Sequence, residues 1–257
     1  MRISVLTPTY NRAHTLPNLY NSLIKNYKYQ KNIEWLIMDD GSSDNTEELV
    51  KKWIKEDFIN IKYYKQKNQG KMSALNNLLD HITGELTIES DSDDYFTNDC
   101  FKHILEKYNL IKDNKKIYGL AFLRITKDKQ PIGKYFNNDG QIKKIFDLYF
   151  KDDYEGDTCL VFKSEIRKTY KHVLENKEKF VTEGRMYHKL DLIYDGLMCF
   201  NIPGIVCEYL DDGYTKNIIK VFKNNPYGYY KYYYEMFNFS FQDLPFKKRL
   251  HIIKHYI

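Results

Sequence analysis

The rhythm of the first hundred residues constrains the fold most. Short apolar runs alternate with segments of helical periodicity, and that alternation is the signature of βαβ units around a mostly parallel sheet. Arg2–Leu6, Ile33–Met38, Ile59–Tyr64 and Leu86–Ile88 read as strands. Between them, Leu16, Leu19, Leu23 and Ile24 mark one helix and Leu49, Val50, Trp53 and Ile54 a second, with Asp44 and Glu47 as its expected capping box. Met72–Ile82 marks a third helix, with Gly84 expected to close it. Further on, a helix is expected over Thr97–Leu110, a strand over Ile117–Ile125 and a helix over Ile142–Phe150. DTCLVF then reads as a buried strand, EGRMYHKLDLIY as a helix and LMCFNIPGIVCEYL as one or two strands. The expected class is α/β, a mixed, mostly parallel sheet flanked by helices, with a helical C-terminal extension. The boundary falls near residue 215: 1–215 as the main domain and 216–257 as a Tyr-rich, basic extension.

In an open α/β sheet, ligands bind outside the carboxyl ends of the strands. Three such ends carry chemistry here: TPTYNR after the first strand, DDGSSD after the second and SDSDD after the fourth. The last belongs to GELTIESDSDDYF, where Glu89, Asp91, Asp93 and Asp94 crowd into six positions. Carboxylates this close repel unless solvent, a cation or a raised pKa relieves them. If the strand continues, Asp91 and Asp93 point to one face, and two hard oxygen donors suit Mg²⁺ or Mn²⁺ completed by a phosphate. A solvated acidic turn is the plainer reading of these letters, and DDGSSD alone is a plausible turn and helix N-cap. A calcium loop fails, because Phe96 stands where that loop requires glycine.

Composition narrows the classes. The 257 residues are 42% hydrophobic and 29% charged, enough for a sizeable core. Cys100, Cys159, Cys199 and Cys207 lack CxxC spacing, which argues against a disulfide framework and a zinc site and favours the cytoplasm. No apolar run reaches membrane-span length, and no signal peptide is expected. The net charge of +5 is mild, and no nucleic-acid motif accompanies it.

Taken in order and at these spacings, VLTPTYNRAHTLPNLYNSL, WLIMDDGSSDNT and NQGKMSALNNLLDHITGELTIESDSDD resemble the nucleotide-sugar half of a family 2 glycosyltransferase of GT-A fold. The likeness covers roughly residues 1–100 closely and 101–215, the acceptor half, more loosely. It implies that Thr7, Pro8, Tyr10 and Arg12 contact the nucleotide, that Asp39 or Asp40 contacts the base or ribose, and that Lys71 lies near the donor diphosphate. It also implies a DxD element at Asp91, Ser92 and Asp93, with Asp93 and Asp91 as Mn²⁺ or Mg²⁺ ligands and Asp94 beside them. Glu89 and Ser90 depart from the family's usually apolar positions.

Inverting transfer needs a carboxylate to deprotonate the acceptor hydroxyl. KFVTEGRMYHKL resembles the family's base motif, which makes Glu183 the expected base; Asp157, Asp153 and Glu155 are alternatives, and Asp157 is also expected to bind sugar or acceptor. A charge favourable at a helix start is the plainer reading of Glu183. Tyr214, Thr215 or Lys216 in a closing loop, together with Arg185 and His188, are further expected donor contacts. The tail LPFKKRLHIIKHYI suits either peripheral contact with anionic lipid or packing on the domain or a second subunit. The expected function is metal-dependent, inverting transfer from a nucleoside-diphosphate sugar, UDP-linked, to a polysaccharide or lipid-linked glycan, with homodimerisation open. The rivals are a sugar-nucleotide pyrophosphorylase, whose glycine-rich N-terminal loop is missing, and a non-catalytic nucleotide-sugar binder or membrane-associated assembly subunit.

Overall fold

The computed structural model describes residues 2–27, 33–208, 213, 216–240, 242 and 244–256. Its first half alternates β1 (Ile3–Thr9), α1 (Leu16–Tyr27), β2 (Ile33–Asp39), α2 (Thr46–Glu56), β3 (Asn60–Lys65), α3 (Lys71–Leu79) and β4 (Leu86–Glu89). There follow β5 (Tyr95–Phe96), α4 (Cys100–Tyr108), β6 (Ile117–Ile125), β7 (Gln141–Lys143), α5 (Ile145–Phe150), β8 (Thr158–Lys163) and α6 (Ser164–Arg167). The chain closes with α7 (Gly184–Ile193), β9 (Gly196–Val206), α8 (Ile218–Asn224), α9 (Pro226–Ser240) and α10 (Phe246–Tyr256).

Among the described residues the strands form one sheet in the order β3-β2-β1-β4-β8-β6-β9-β5, with β7 on β9. β3, β2, β1 and β4 run parallel, and β8 enters antiparallel to β4 and β6. Every residue of β1 and β2 is buried, as central strands covered on both faces must be. Alternation assigns the faces. Ile3, Val5, Trp35 and Ile37 pack on α1, α2 and α4, whereas Leu6, Leu36 and Met38 pack on Met72, Leu75 and Leu78 of α3. On the first face Tyr20 stacks on Trp53 at 4.3 Å, and Trp35 stands 5.9 Å from Trp53. Met186 and Leu190 of α7 cover β6, β8 and β9, and Tyr233 and Met236 of α9 join Ile252 of α10 over Phe146.

Three local expectations are corrected. Asp44 precedes α2 and accepts from the Thr46 N–H at 3.1 Å, while Glu47 pairs with Lys51 and Lys65 at 2.6 and 2.7 Å, so no capping box forms. Helix α3 ends at Leu79, and Gly84 instead answers a close approach: a Cβ there would stand 2.6 Å from Ser4 Oγ. Residues 141–143 pair with β9 as a strand, so the helix begins only at Ile145.

Candidate functional site

Because β2, β1 and β4 are adjacent and parallel, their loaded loops meet at one edge. There they border a cleft of about 1040 Å³, whose opposite wall comes from α5, β8, α7 and α9.

The first two loops are stitched together. Asn11 adopts a left-handed φ of 52°, and its Oδ1 accepts from Ser43 N–H at 2.8 Å. Arg12 N–H donates to Thr46 Oγ1 at 3.1 Å and Ala13 N–H to Asp44 Oδ2 at 3.0 Å. This turn presents Pro8, Tyr10 and Arg12 to the cleft, with Tyr10 47% exposed.

Thr7 and Asp39 do not line it. Thr7 is fully buried and accepts from the Trp35 indole at 2.9 Å. Asp39, also buried, accepts from Ser42 N–H at 2.6 Å and from the Tyr63 hydroxyl at 2.5 Å. Asp40 is the member of the acidic pair on the cleft wall, and it shapes the next loop. Its carboxylate accepts from the Gln66 amide at 2.7 Å and from the Gln69 and Gly70 N–H groups at 2.8 and 2.7 Å. Gly70 has φ +92°, and a Cβ there would meet the Lys179 carbonyl at 2.3 Å. That turn opens α3 and delivers Lys71.

The Lys71 ammonium stands 2.6 Å from Asp91 and 3.0 Å from Glu183, its side chain 19% exposed. Burial would pull its pKa down, but the two carboxylates hold it well above the ordinary value. Reciprocally, Lys71 outweighs burial at Glu183 and holds that carboxyl at about 2. Glu183 caps α7 without a side-chain capping bond and accepts from the Tyr187 hydroxyl one turn on, at 3.1 Å.

The acidic cluster lies past the end of β4, in a turn closed by Asp94 N–H to Asp91 O at 3.2 Å. Strand alternation therefore does not govern Asp91 and Asp93, and their neighbourhood is set by the turn. Asp91, Ser92, Asp93 and Asp94 all line the cleft. Burial first and Asp91 second raise Asp93. Burial pushes Asp94 to about 7 even though Arg124 stands 2.8 Å away. Among the described residues no group of three or more His, Cys, Asp or Glu side chains is placed to hold a metal ion. At the cleft floor Glu89 is paired with the fully buried Arg167, and burial still raises its pKa.

Asp157 also lines the cleft. Asp153 and Glu155 do not: they face Lys248 at 3.1 Å and Lys134 at 3.4 Å on the surface. Arg185 is likewise drawn away, forked onto Glu235 of α9 at 2.6 and 3.0 Å, whereas His188 lines the cleft. Lys216 is not part of the wall, and Tyr214 and Thr215 fall outside the described residues. Sequence reasoning missed Arg124 and Tyr187. The single cation inside the apolar strand LAFLRI, and a tyrosine one helical turn after Glu183, were the available signals.

A mixed α/β sheet thus gathers three strand-end loops into one acidic cleft, with a carboxylate-tipped helix in its wall. The profile of Glycosyl transferase family 2 matches residues 4–178, and the chain belongs to that family. A relative from Campylobacter jejuni, GalNAc(5)-diNAcBac-PP-undecaprenol beta-1,3-glucosyltransferase, is 31% identical over 180 residues, 68% of this chain and 54% of its own length. A glycosyltransferase of Mycoplasma genitalium, 31% identical over 144 residues, is matched over 47% of its length, so the chain spans about half of these curated relatives. Among solved structures, S. aureus TarS 1–349 in complex with UDP-GlcNAc superposes with a TM-score of 0.62 at 17% identity, covering 100% of this chain and 71% of that one. The mannosyltransferase PcManGT of Pyrobaculum calidifontis, in complex with GDP-Man and Mn²⁺, gives 0.64 at 17% identity, covering 99% and 69%. These likenesses establish the GT-A fold.

Proposed function

We propose that the cleft transfers a sugar, with inversion, from a nucleoside-diphosphate donor to a hydroxyl of a glycan or lipid-linked glycan. The observation that carries this reading is the span of Lys71 between Asp91 and Glu183. One ammonium joins the acidic turn after β4 to the carboxylate that opens α7, so the expected leaving-group and base sides share one chamber.

Pro8, Tyr10, Arg12 and Asp40 would hold the nucleoside, and Lys71 the diphosphate. Asp93 and Asp91 fit Mn²⁺ or Mg²⁺ as ions that take one or two carboxylates and finish their shell with phosphate and water. Crowded carboxylates with upward-shifted pKa values are what such an ion relieves. When bound, the ion would neutralise charge on the departing diphosphate. PcManGT carries Mn²⁺ with its donor, in keeping with that role.

At a pKa of about 2, Glu183 is a weak base while Lys71 holds it. A donor diphosphate competes for the same ammonium, and Lys71 turning toward it would raise the basicity of Glu183. Glu183 would then take the acceptor proton, with Tyr187 fixing its second oxygen. TarS is held with UDP-GlcNAc and PcManGT with GDP-Man, so these structures do not separate the two nucleotides; we take the donor as UDP-linked, and the undecaprenol-linked acceptor named for the Campylobacter relative supports a lipid-linked glycan. The basic α10 would suit peripheral contact with the membrane bearing such an acceptor. Among the described residues, no helix is long and apolar enough to cross a membrane.

Thermal unfolding with UDP, GDP, CDP or dTDP, each with and without Mn²⁺, tests the reading by mass action. A rise for UDP that depends on Mn²⁺ and vanishes in Asp93→Ala is expected. No rise with any diphosphate would refute it.

A further inference from the structure

The positive charge of the chain is concentrated at one end. Residues 216–257 hold eight Lys or Arg against two acidic residues, while residues 1–215 hold 32 against 33, so the net +5 belongs to the C-terminal extension. Of those two acids, Glu235 is forked onto Arg185 of α7. Within the extension, the helical period gives α9 two faces. Tyr233 and Met236 turn inward onto Phe146, Leu244 and Ile252. Tyr227, Tyr230, Lys231, Tyr234 and Phe237, three and four apart, share the other side. There Tyr230, Tyr234 and Phe237 are 40, 39 and 38% exposed. From this face we infer that α9 docks on an anionic lipid surface, its aromatic stripe entering the headgroup layer while lysines meet the lipid charge. The inference rests on the peripheral contact proposed for α10, and it assigns the entry to α9.

The stripe suits a boundary between water and hydrocarbon. Ring centroids lie 6.4 Å apart for Tyr227 and Tyr230 and 6.0 Å apart for Tyr230 and Tyr234. The Lys231 ammonium stands 5.3 Å from the Tyr227 ring and 5.6 Å from the Tyr234 ring. Tyrosine joins an apolar body to a polar tip, the combination enriched at membrane interfaces, and lysine can lay its stem on the rings with its charge toward a phosphate. The mounting is firm. Glu178 accepts from the N–H groups of Tyr227 and Gly228 at 2.7 Å each at the start of α9, and Arg185 grips Glu235 further along. The helices before and after α9 expose Lys220, Lys223, Phe246 and Lys247, while Lys248 is drawn onto Asp153 at 3.1 Å. Tyr232 of α9 lines the cleft, so a bilayer on the outer face would lie about 10 Å, one helix diameter, from the chamber.

Charge selects the occupant. A second copy docked symmetrically would set Lys231 near its own image and bring two basic extensions together, which like charge opposes. An apolar groove on another protein would desolvate Lys231 without a counter-charge. An anionic leaflet does neither, because it attracts lysines at its surface and takes aromatic rings at headgroup depth.

Co-sedimentation of the full chain with vesicles provides the test, using phosphatidylcholine alone and phosphatidylcholine mixed with phosphatidylglycerol. Binding is expected with the anionic mixture only, and it should fall by about tenfold or more when Tyr230→Ser, Tyr234→Ser and Phe237→Ser are combined. Tyr234→Trp places a reporter on the stripe, since Trp35 and Trp53 are buried in the core. Its fluorescence should be quenched by lipids brominated near the headgroup end of the acyl chain, and that of the wild type should not. Unchanged unfolding midpoints would report that the variants fold. The inference is overturned if neither vesicle pellets the chain, if the triple variant pellets like wild type, or if the Tyr234→Trp reporter escapes quenching on vesicles that pellet it, which would leave contact to α10 alone. A dimer in sedimentation velocity that the triple variant dissolves would also overturn it, in favour of a second copy. Vesicle binding without any diphosphate-dependent thermal shift would refute the transfer reading and leave this face standing; the converse result would spare the transfer reading and remove the face.

Discussion

Glu183 is caught between two demands. Its ion pair with Lys71 orders it, yet the same charge strips it of basicity. Glu183→Gln keeps shape and hydrogen bonding and removes the proton acceptor. Transfer should fall by about 10²–10⁴-fold, the usual worth of general-base catalysis, while UDP affinity stays within a factor of a few; turnover and titration calorimetry on the same sample check both. Preserved turnover would shift the role to Asp157, which shares the cleft. At this scale the sequence was partly legible. The motif residues were visible, but MDDGSS does not say which aspartate faces the ligand. Pairing with Tyr63 and Ser42 buries Asp39 and leaves Asp40 on the wall, and those partners come from other segments of the chain. Arg185 shows the same limit, since Glu235 lies fifty positions away.

Between elements, the site depends on α3 and the segment leading into α7 staying in register. Asn76 of α3 fastens them by a reciprocal pair: His172 N–H donates to its Oδ1 and its Nδ2 donates to the His172 carbonyl, both at 2.7 Å. Lys71 and Asn76 share one helix, so this clamp and the Lys71–Glu183 pair position α7 together. Asn76→Ala leaves the two backbone groups of His172 short of partners and should cost about 1–3 kcal/mol, lowering the unfolding midpoint by several degrees for a chain of this size. Transfer should drop more than UDP binding does, because Asp40, Tyr10 and Arg12 lie on loops the clamp does not touch. Equal loss of both would show that α3 itself had been displaced. The clamp was not legible, because a polar residue on a helix carries no mark of its distant partner. The βαβ half was readable because its periodicities are local. Helix α5 was misplaced because Gln141–Lys143 become a strand only by pairing with β9, a contact periodicity cannot see.

Across the whole molecule, the seam between α3 and the segment leading into α7 holds buried ionic groups, and its stability should depend on pH. His172 lies within it, buried against Arg167, whose guanidinium is 3.4 Å from Nε2. Burial first and Arg167 second drive its pKa from 6.5 to about 3, with Lys71 and Arg185 adding to them, against an opposing pull from Glu183. The folded value lies below the unfolded one, so the unfolded chain takes up the proton first. Above pH 6.5 the group contributes no pH dependence; as pH falls from about 6.5 toward 3, the folded state loses ground by up to about 1.4 kcal/mol per pH unit. Asp191, which burial raises to about 6, works in the opposite sense: its contribution is greatest below its unfolded value of 3.8 and is lost as pH rises through 6. The net wild-type curve therefore mixes signs, but a difference between variants isolates the histidine. His172→Phe fills the site without a titrating group. It should be less stable than wild type at pH 7.5, where Arg167 loses an acceptor, and should recover relative to wild type by more than 1 kcal/mol between pH 6.5 and 5, near the one-proton slope. Urea midpoints at several pH values measure this, and a deficit that stays constant across that window would mean His172 is not held neutral in the fold.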